Sequence, residues 1–284
     1  LKSGRLFYKD VTKLVRGESP LRWRTSGAAV SKIGLGRVAA ILVVHQMGLP
    51  CDLKTILPLA KKFRLPVVED AACAVGSEIS FNKGKTWERV GKPHGDIACF
   101  SFHPRKVITT GDGGMLTTGN FVYDKKFRLL RQQGMSISDV QRHRSRKVMR
   151  EEYVMTGYNY RLTDIQAAMG IEQLKKLPNL VARRKELAAL YHRQIQDIPG
   201  LTCLRQPDFA RSNWQSYPVR LTAGTRQKRD RIMQHLLDCG IATRTGIMNA
   251  HQEQPYVSQR WRLAASEQAR DLTILLPLFP EMKD

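Results

Sequence analysis

Acidic residues are scarce in this chain. Its 284 residues include 25 Asp and Glu against 47 Lys and Arg, a formal net charge of +22. An imbalance of that size calls for anionic partners or for an unusual source composition, and composition alone does not choose between them. Long apolar runs are missing too. The longest, Val38-Ala-Ala-Ile-Leu-Val-Val44, is far too short to span a bilayer, so no membrane segment is expected. Cysteines are few and scattered at 51, 73, 99, 203 and 239, without a CxxC pair or a histidine at metal-ligand spacing. No metal site is therefore expected, and the reduced cytoplasm is the natural compartment. Internal repeats are absent. Hydrophobic residues at 42% and charged residues at 25% exclude collagen, mucin and wholesale disorder. The chain opens at Leu1-Lys-Ser-Gly without an initiator Met or a charged-then-apolar leader, and it stops abruptly at Asp284, which is the look of a fragment.

What is present reads as alternating strands and helices. Residues 1–37 carry nine basic residues against two acids and show no sustained period. Arg37 to Val44 reads as a strand buried on both faces. Asp52 reads as the N-cap of a helix to about Phe63, with Leu53, Ile56, Leu57 and Ala60 on one face. Leu65 to Glu69 is a second buried strand, so strand, helix and strand predict a right-handed crossover in a parallel sheet. Asn82 to Pro93 reads as a surface excursion. Asp96–Ser101 and Gly114–Thr118 read as further strands around a Gly-rich turn. Residues 124–152 are strongly basic and expected to be mobile in part, and helices over 163–176 and 179–197 are expected to break at Pro178. Beyond Gly200, a strand at 215–221, a helix at 225–239 and a strand at Gly240–Thr243 predict a smaller second α/β unit. Three parts follow: a divergent or non-native leader over 1–36, a large domain over 37–178 and a small domain over 179–284.

Candidate chemistry gathers at strand ends. Gly34-Leu-Gly36-Arg-Val-Ala39 has the letters of a dinucleotide fingerprint, but a strand follows it where a helix should, so it reads as a flexible entry to that strand. Asp70 ends a buried strand, where it either caps a following helix or aims a charge at a ligand. Ser101-Phe-His-Pro-Arg-Lys106 begins at the end of another such strand, so Asp70, Ser101 and Lys106 converge on one crevice. A lysine there is either a solvated surface residue or, beside a cation such as Arg105, an amine nucleophile suited to Schiff-base chemistry. His45 and His103 read as structural or pocket-wall residues. The His251–Tyr256 stretch reads by itself as a surface turn.

Four ordered segments carry a resemblance. They are His45-x-x-Gly-x-Pro-x-Asp52, Val68-Glu-Asp-Ala-Ala-Cys-Ala-x-Gly76, Ser101-Phe-His-Pro-Arg-Lys-Val-Ile-Thr-Thr-Gly-Asp-Gly-Gly114, and Gly157-Tyr-Asn-Tyr-Arg-Leu-Thr-Asp-Ile-Gln-Ala-Ala168. From about residue 37 onward the chain resembles the DegT-type nucleotide-sugar aminotransferases, pyridoxal-phosphate enzymes of fold type I. The resemblance implies an incomplete large domain of that fold, a mainly parallel sheet with helices on both faces, and the smaller C-terminal α/β domain. It implies that Lys106 makes the Schiff base with pyridoxal 5′-phosphate and moves a proton. It also implies that Asp70 holds the pyridine nitrogen protonated, that Ser101 bonds the phosphate, and that Asn159 reaches a phosphate in the neighbouring subunit's site. A homodimer with shared active sites, a nucleotide-sugar substrate and an amino-acid donor, usually glutamate, follow from the same resemblance. For the His251–Tyr256 stretch the resemblance implies a substrate-facing loop, as an equal alternative to the surface turn.

The departures from the family pattern are specific. Three positions after the Asp, near the cofactor's phenolic oxygen, the family carries Gln or His where this chain has Cys73, a weak donor. The family's Gly-Thr phosphate cup and ring-stacking aromatic have no match before Arg37, and the chain ends at Leu-Pro-Leu-Phe-Pro, before the family's last helix. The expectation is thus an aminotransferase truncated at its N-terminus and slightly at its C-terminus, with an inactive remnant as the alternative. A basic nucleic-acid-binding protein is the rival from charge, but the basic residues are spread out and no recognition motif accompanies them.

Overall fold

A computed structural model describes residues 38–137 and 139–283. The expected leader over 1–36 and the Gly34-Leu-Gly36 turn lie outside the described residues. Asp52 caps α1 (Leu53–Phe63): its Oδ1 accepts the Thr55 N–H at 3.1 Å. The apolar stripe of this helix, Leu53, Ile56 and Ala60, packs on Ile41, Val43 and Val67. Those residues belong to β1 (Ile41–Val44) and β2 (Val67–Asp70), which pair in parallel with Ile41 opposite Val67 and Val44 opposite Asp70. β3 (Glu78–Ile79) and β4 (Glu88–Arg89) form a small hairpin within the surface excursion. β5 (Ile97–Ser101) then adds to β2 in parallel, and β6 (Gly114–Thr117) pairs antiparallel with β5, so the strand order is β1-β2-β5-β6.

β1 is shorter than expected and one-sided. Its burial alternates, with Ile41 and Val43 buried while Leu42 is 66% and Val44 43% exposed. Among the described residues it lies at the edge of the sheet, and only the face turned to α1 is covered by them. The basic stretch from 124 starts within a helix that the sequence reading missed, α2 (Phe121–Leu130). Asn120 caps it, accepting the Val122 and Tyr123 N–H groups, and Asp124 pairs with Arg128 one turn on. A further short helix, α3 (Asp139–Arg144), lies in the same stretch.

The break expected at Pro178 is absent. α4 runs unbroken over Asp164–Ile195, opened by a capping box of Thr163 and Gln166. Pro178 removes one hydrogen bond and crowds the preceding turn, at a cost of about 3 kcal/mol in a helix interior. It points away from a buried stripe that includes Leu177, Val181 and Leu187, each worth roughly 1.5–3 kcal/mol on burial, and that packing outweighs the defect. The first two of these side chains pack against Phe102, Val107 and Ile108. Leu187 and Ala188 join a second core with Trp214, Tyr217, Val219 and Ile274. One helix is therefore a strut shared by both cores.

The second core lies on an antiparallel sheet. β7 (Leu201–Cys203) is followed by β8 (Ala210–Arg211), which reaches back to pair with β3. β9 (Tyr217–Leu221), α5 (Arg226–Asp238), β10 (Arg244–Thr245), α6 (Ala264–Leu272) and β11 (Thr273–Leu276) follow, with order β10-β11-β9-β7. The strand expected at Gly240–Thr243 is displaced to β10. Gly240, at φ +79°, and Ile241 donate back to the carbonyls of Leu237 and Leu236, so these residues end α5 before any strand starts.

His45, just past β1, and Glu69, within β2, are both fully buried. His45 Nδ1 accepts the Cys51 N–H at 3.1 Å, so the proton is on Nε2, which donates to Glu69 Oε2 at 2.9 Å. The other carboxylate oxygen accepts the Gly95 N–H at 2.6 Å. Burial, and then the Glu69 charge, push the neighbouring Cys51 thiol up to about 12. Replacing His45 by Ala strands a buried carboxylate, and the urea midpoint should fall by the equivalent of about 3–5 kcal/mol. A loss below about 1 kcal/mol would show that water reaches Glu69.

Candidate active site

The carboxyl ends of β2 and β5 lie side by side, with Asp70 opposite Cys99 in register. Ligands of parallel sheets sit at such ends. No helix follows Asp70, which removes the helix-cap alternative. Its Oδ1 accepts the Ala72 N–H at 3.1 Å in a tight turn, and the chain then reaches Cys73. Burial first, and then the negative charges of Asp70 and Glu69, raise the Cys99 thiol, so the Asp70 charge is felt across the strand ends.

Ser101 closes β5, where its Oγ accepts the His103 N–H at 3.3 Å. His103 Nδ1 in turn accepts the Arg105 N–H at 3.2 Å, which fits a structural role in the turn that presents Lys106. The half-buried Lys106 points its Nζ at Cys73 Sγ, 3.2 Å away. Among the described residues it makes no ion pair, so its amine is not committed to a carboxylate. The loops that leave the two strand ends therefore meet: Cys73, three residues beyond Asp70, touches Lys106, five residues beyond Ser101. Asn159 is not part of this junction. It is exposed and pairs with Gln132 on a separate ladder where the 153–160 segment runs against 130–136.

Sequence reading missed the residues that hold this junction in shape. Gln215 brackets Lys106: its Nε2 donates to the Arg105 carbonyl at 2.6 Å and its Oε1 accepts the Val107 N–H at 3.0 Å. Asn213, fully buried, donates through Nδ2 to the carbonyls of Cys73 and Val75 at 2.9 and 2.8 Å. Its backbone N–H donates to Ser77 Oγ, whose hydroxyl donates to the Gly48 carbonyl. Gly48 has φ +88°, and a Cβ there would collide with the Asn213 carboxamide, so both backbone shape and space demand glycine. The segment 212–215 thus fastens the loops at 48, 73–77 and 105–107 to one another. The polar run Ser212-Asn-Trp-Gln-Ser216 is the only signal for it in the sequence, and it does not by itself point to a site.

An amine beside a thiol, a carboxylate on the adjacent strand end and a serine hydroxyl suit a ligand that carries a carbonyl, a cationic nitrogen and an anionic group. No helix among the described residues is long and apolar enough to cross a membrane, and no cluster there could hold a metal ion.

The chain is similar to several known proteins over most of its length. GDP-perosamine synthase of Caulobacter vibrioides is 33% identical over 252 residues, which are 88% of this chain and 63% of that enzyme. An uncharacterised protein of Methanocaldococcus jannaschii is likewise 33% identical, and the chain spans 64% of its length. Among solved structures, the aminotransferase TlmJ of Streptoalloteichus hindustanus superposes with a TM-score of 0.75 at 31% identity, covering 88% of this chain and 63% of that one. Helicobacter pylori PseC, an aminotransferase involved in the biosynthesis of pseudoaminic acid, gives 0.77 at 28% identity, covering 89% and 65%. The family model matches residues 21–284, nearly the whole sequence, and the chain therefore belongs to the DegT/DnrJ/EryC1/StrS aminotransferase family.

Proposed function

We propose that this chain carries the crevice of a pyridoxal-phosphate-dependent aminotransferase that moves an amino group from glutamate to a keto-sugar linked to a nucleoside diphosphate. The observation that supports it best is the Lys106 amine, which makes no ion pair among the described residues and touches Cys73 just beyond the neighbouring strand ends that carry Asp70 and Ser101. The donor set fits the cofactor: a carboxylate for a protonated ring nitrogen, a hydroxyl for a phosphate and an uncommitted amine for an aldehyde. Cys73 fits less well, since a thiol is a weak donor to a phenolic oxygen.

Bound there, pyridoxal phosphate supplies an aldehyde for the donor's amine and a ring that withdraws electrons from it. Asp70 keeps its carboxylate turned to the crevice because its backbone is fixed in β2 and Ala72 anchors one oxygen. Lys106 accepts and returns a proton at Nζ, and Gln215 fixes the backbone on either side of it. Ser101 presents its hydroxyl to an anionic group. Asn159, exposed on its own ladder, serves the neighbouring subunit's site in a homodimer. The excess of basic residues suits an anionic nucleotide sugar, and five free cysteines suit the cytoplasm.

The full 284-residue chain, given pyridoxal phosphate, glutamate and nucleotide-linked keto-sugars, should produce an aminated sugar detected by mass spectrometry. Cofactor binding without any aminated product across such a panel would overturn the enzyme reading in favour of an inactive remnant.

A further inference from the structure

Cys73 stands where the family pattern has Gln or His, and among the described residues it is the one side chain hydrogen-bonded to the Lys106 amine. We propose that Cys73 and Lys106 form a reversible covalent sulfur–nitrogen bridge when the protein meets a hydroperoxide, making this pair an oxidative modification site that shuts the crevice.

The geometry carries the argument. Sγ and Nζ are 3.2 Å apart, and both backbones are fastened to the same short segment. Asn213 binds the Cys73 carbonyl, while Gln215 binds the residues on both sides of Lys106. The pair therefore cannot drift apart without loosening that segment from both loops. The flexible four-carbon stem of lysine supplies the short remaining travel. No carboxylate among the described residues holds Nζ elsewhere. None of the five cysteines is in a disulfide, so Cys73 has no resolving thiol bonded to it in this fold. The nearby thiols are also less reactive than an ordinary cysteine. Burial and the Glu69 charge hold Cys51 protonated, and Cys99 is raised by burial and by Asp70.

The chemistry balances in two steps. Cys73 Sγ takes one oxygen from hydrogen peroxide: an S–O bond forms, the O–O bond breaks, and the other oxygen leaves as water. Sulfur is oxidised by two electrons and peroxide is reduced. The Lys106 amine then attacks Sγ, an S–N bond forms, and the S–O bond breaks as hydroxide leaves with the amine proton as water. Sulfenic acids are known to condense with nitrogen in this way, and the product protects the sulfur from irreversible sulfinic acid. A dithiol reverses it: one thiolate attacks Sγ and frees the amine, and the second frees the Cys73 thiol as the dithiol closes to its disulfide.

The bridge itself needs only the observed pair, whereas its effect on amine transfer rests on the role given to Lys106 above. The test is peptide mapping of the full chain after hydrogen peroxide treatment without cofactor. The expected product is a Cys73 peptide joined to a Lys106 peptide, lighter by two hydrogens than the two together and released by dithiothreitol. Cys73→Ser and Lys106→Gln should each abolish it, and in Lys106→Gln the yield of Cys73 sulfinic acid should rise severalfold. Sulfinic acid at Cys73 in the unaltered chain, with Lys106 unlinked, would overturn the proposal without dependence on the folding of any variant. Preloading with pyridoxal phosphate should suppress the bridge. A bridge that forms equally well after preloading would support the pair chemistry and refute the assignment of Lys106 to the cofactor, so the two readings fail separately.

Discussion

Lys106→Ala should lose amine transfer altogether while keeping the fold. The amine can hold an aldehyde covalently as an imine and pass a proton at the same atom, and a thiol cannot make that imine. Positioned proton transfer alone is worth about two to four powers of ten, and the covalent role adds to it, so turnover should fall at least about a thousandfold. The side chain is half-buried and unpaired with any carboxylate among the described residues, so its loss should change the melting temperature little. Two measurements check this: turnover, and borohydride reduction of the chain with pyridoxal phosphate followed by peptide mapping. A covalent cofactor adduct that stays in place in the Ala variant would sink the assignment. Cys73→Ala is the useful contrast. Sulfur is a weak hydrogen-bond partner, worth at most about 1 kcal/mol, so that change should cost less than about tenfold.

Asp70→Asn should be the second most damaging substitution, through charge and not through volume. The amide still accepts the Ala72 N–H that Oδ1 accepts now, so the turn after β2 should survive and stability should change by no more than about 1 kcal/mol. A ring nitrogen that needs a carboxylate to stay protonated loses its partner, and turnover should drop by about two to four powers of ten. Cys99 gives a readout independent of catalysis. Burial is the main cause that raises this thiol and the Asp70 charge is the next, so removing that charge lets it ionise at lower pH. Its alkylation profile should therefore move toward acid in Asp70→Asn. Unchanged turnover together with an unmoved profile would make Asp70 an ordinary turn residue.

The parts that sequence reading recovered are those written locally. Arg37–Val44, Asp52 and Leu65–Glu69 announce a strand, a capped helix and a strand because β-branched runs, a capping carboxylate and a 3.6-residue stripe each act over a few residues. The strand-end positions of Asp70 and Ser101, and of Lys106 just beyond, were legible for the same reason. The errors have local causes as well. α2 buries none of its own residues, so it lacks the apolar stripe that betrays a helix, and only the Asn120 cap and the Asp124–Arg128 pair mark it. Pro178 was weighed as a breaker without the buried stripe that holds α4 straight. The Gln215 and Asn213 contacts could not be read at all. They bind main-chain groups 108 to 140 residues away, and a backbone carbonyl has no sequence signature.

That separation sets an order in time. β1, α1 and β2 can associate as soon as they have left the ribosome, because their contacts stay within one strand-helix-strand unit, Ile41 to Asp70. The Lys106 loop has to wait for Gln215, whose bond to Val107 spans 108 residues, roughly 5 to 20 s of synthesis at ordinary elongation rates. Closing so long a loop costs little extra free energy, since each doubling of length adds only about 0.6 kcal/mol. The delay is therefore kinetic. During it the nascent chain has a sheet with its strand ends unfastened, and Cys73 and Lys106 are not yet held together. The reactive pair is assembled late in translation, after most of the scaffold that surrounds it has already been made.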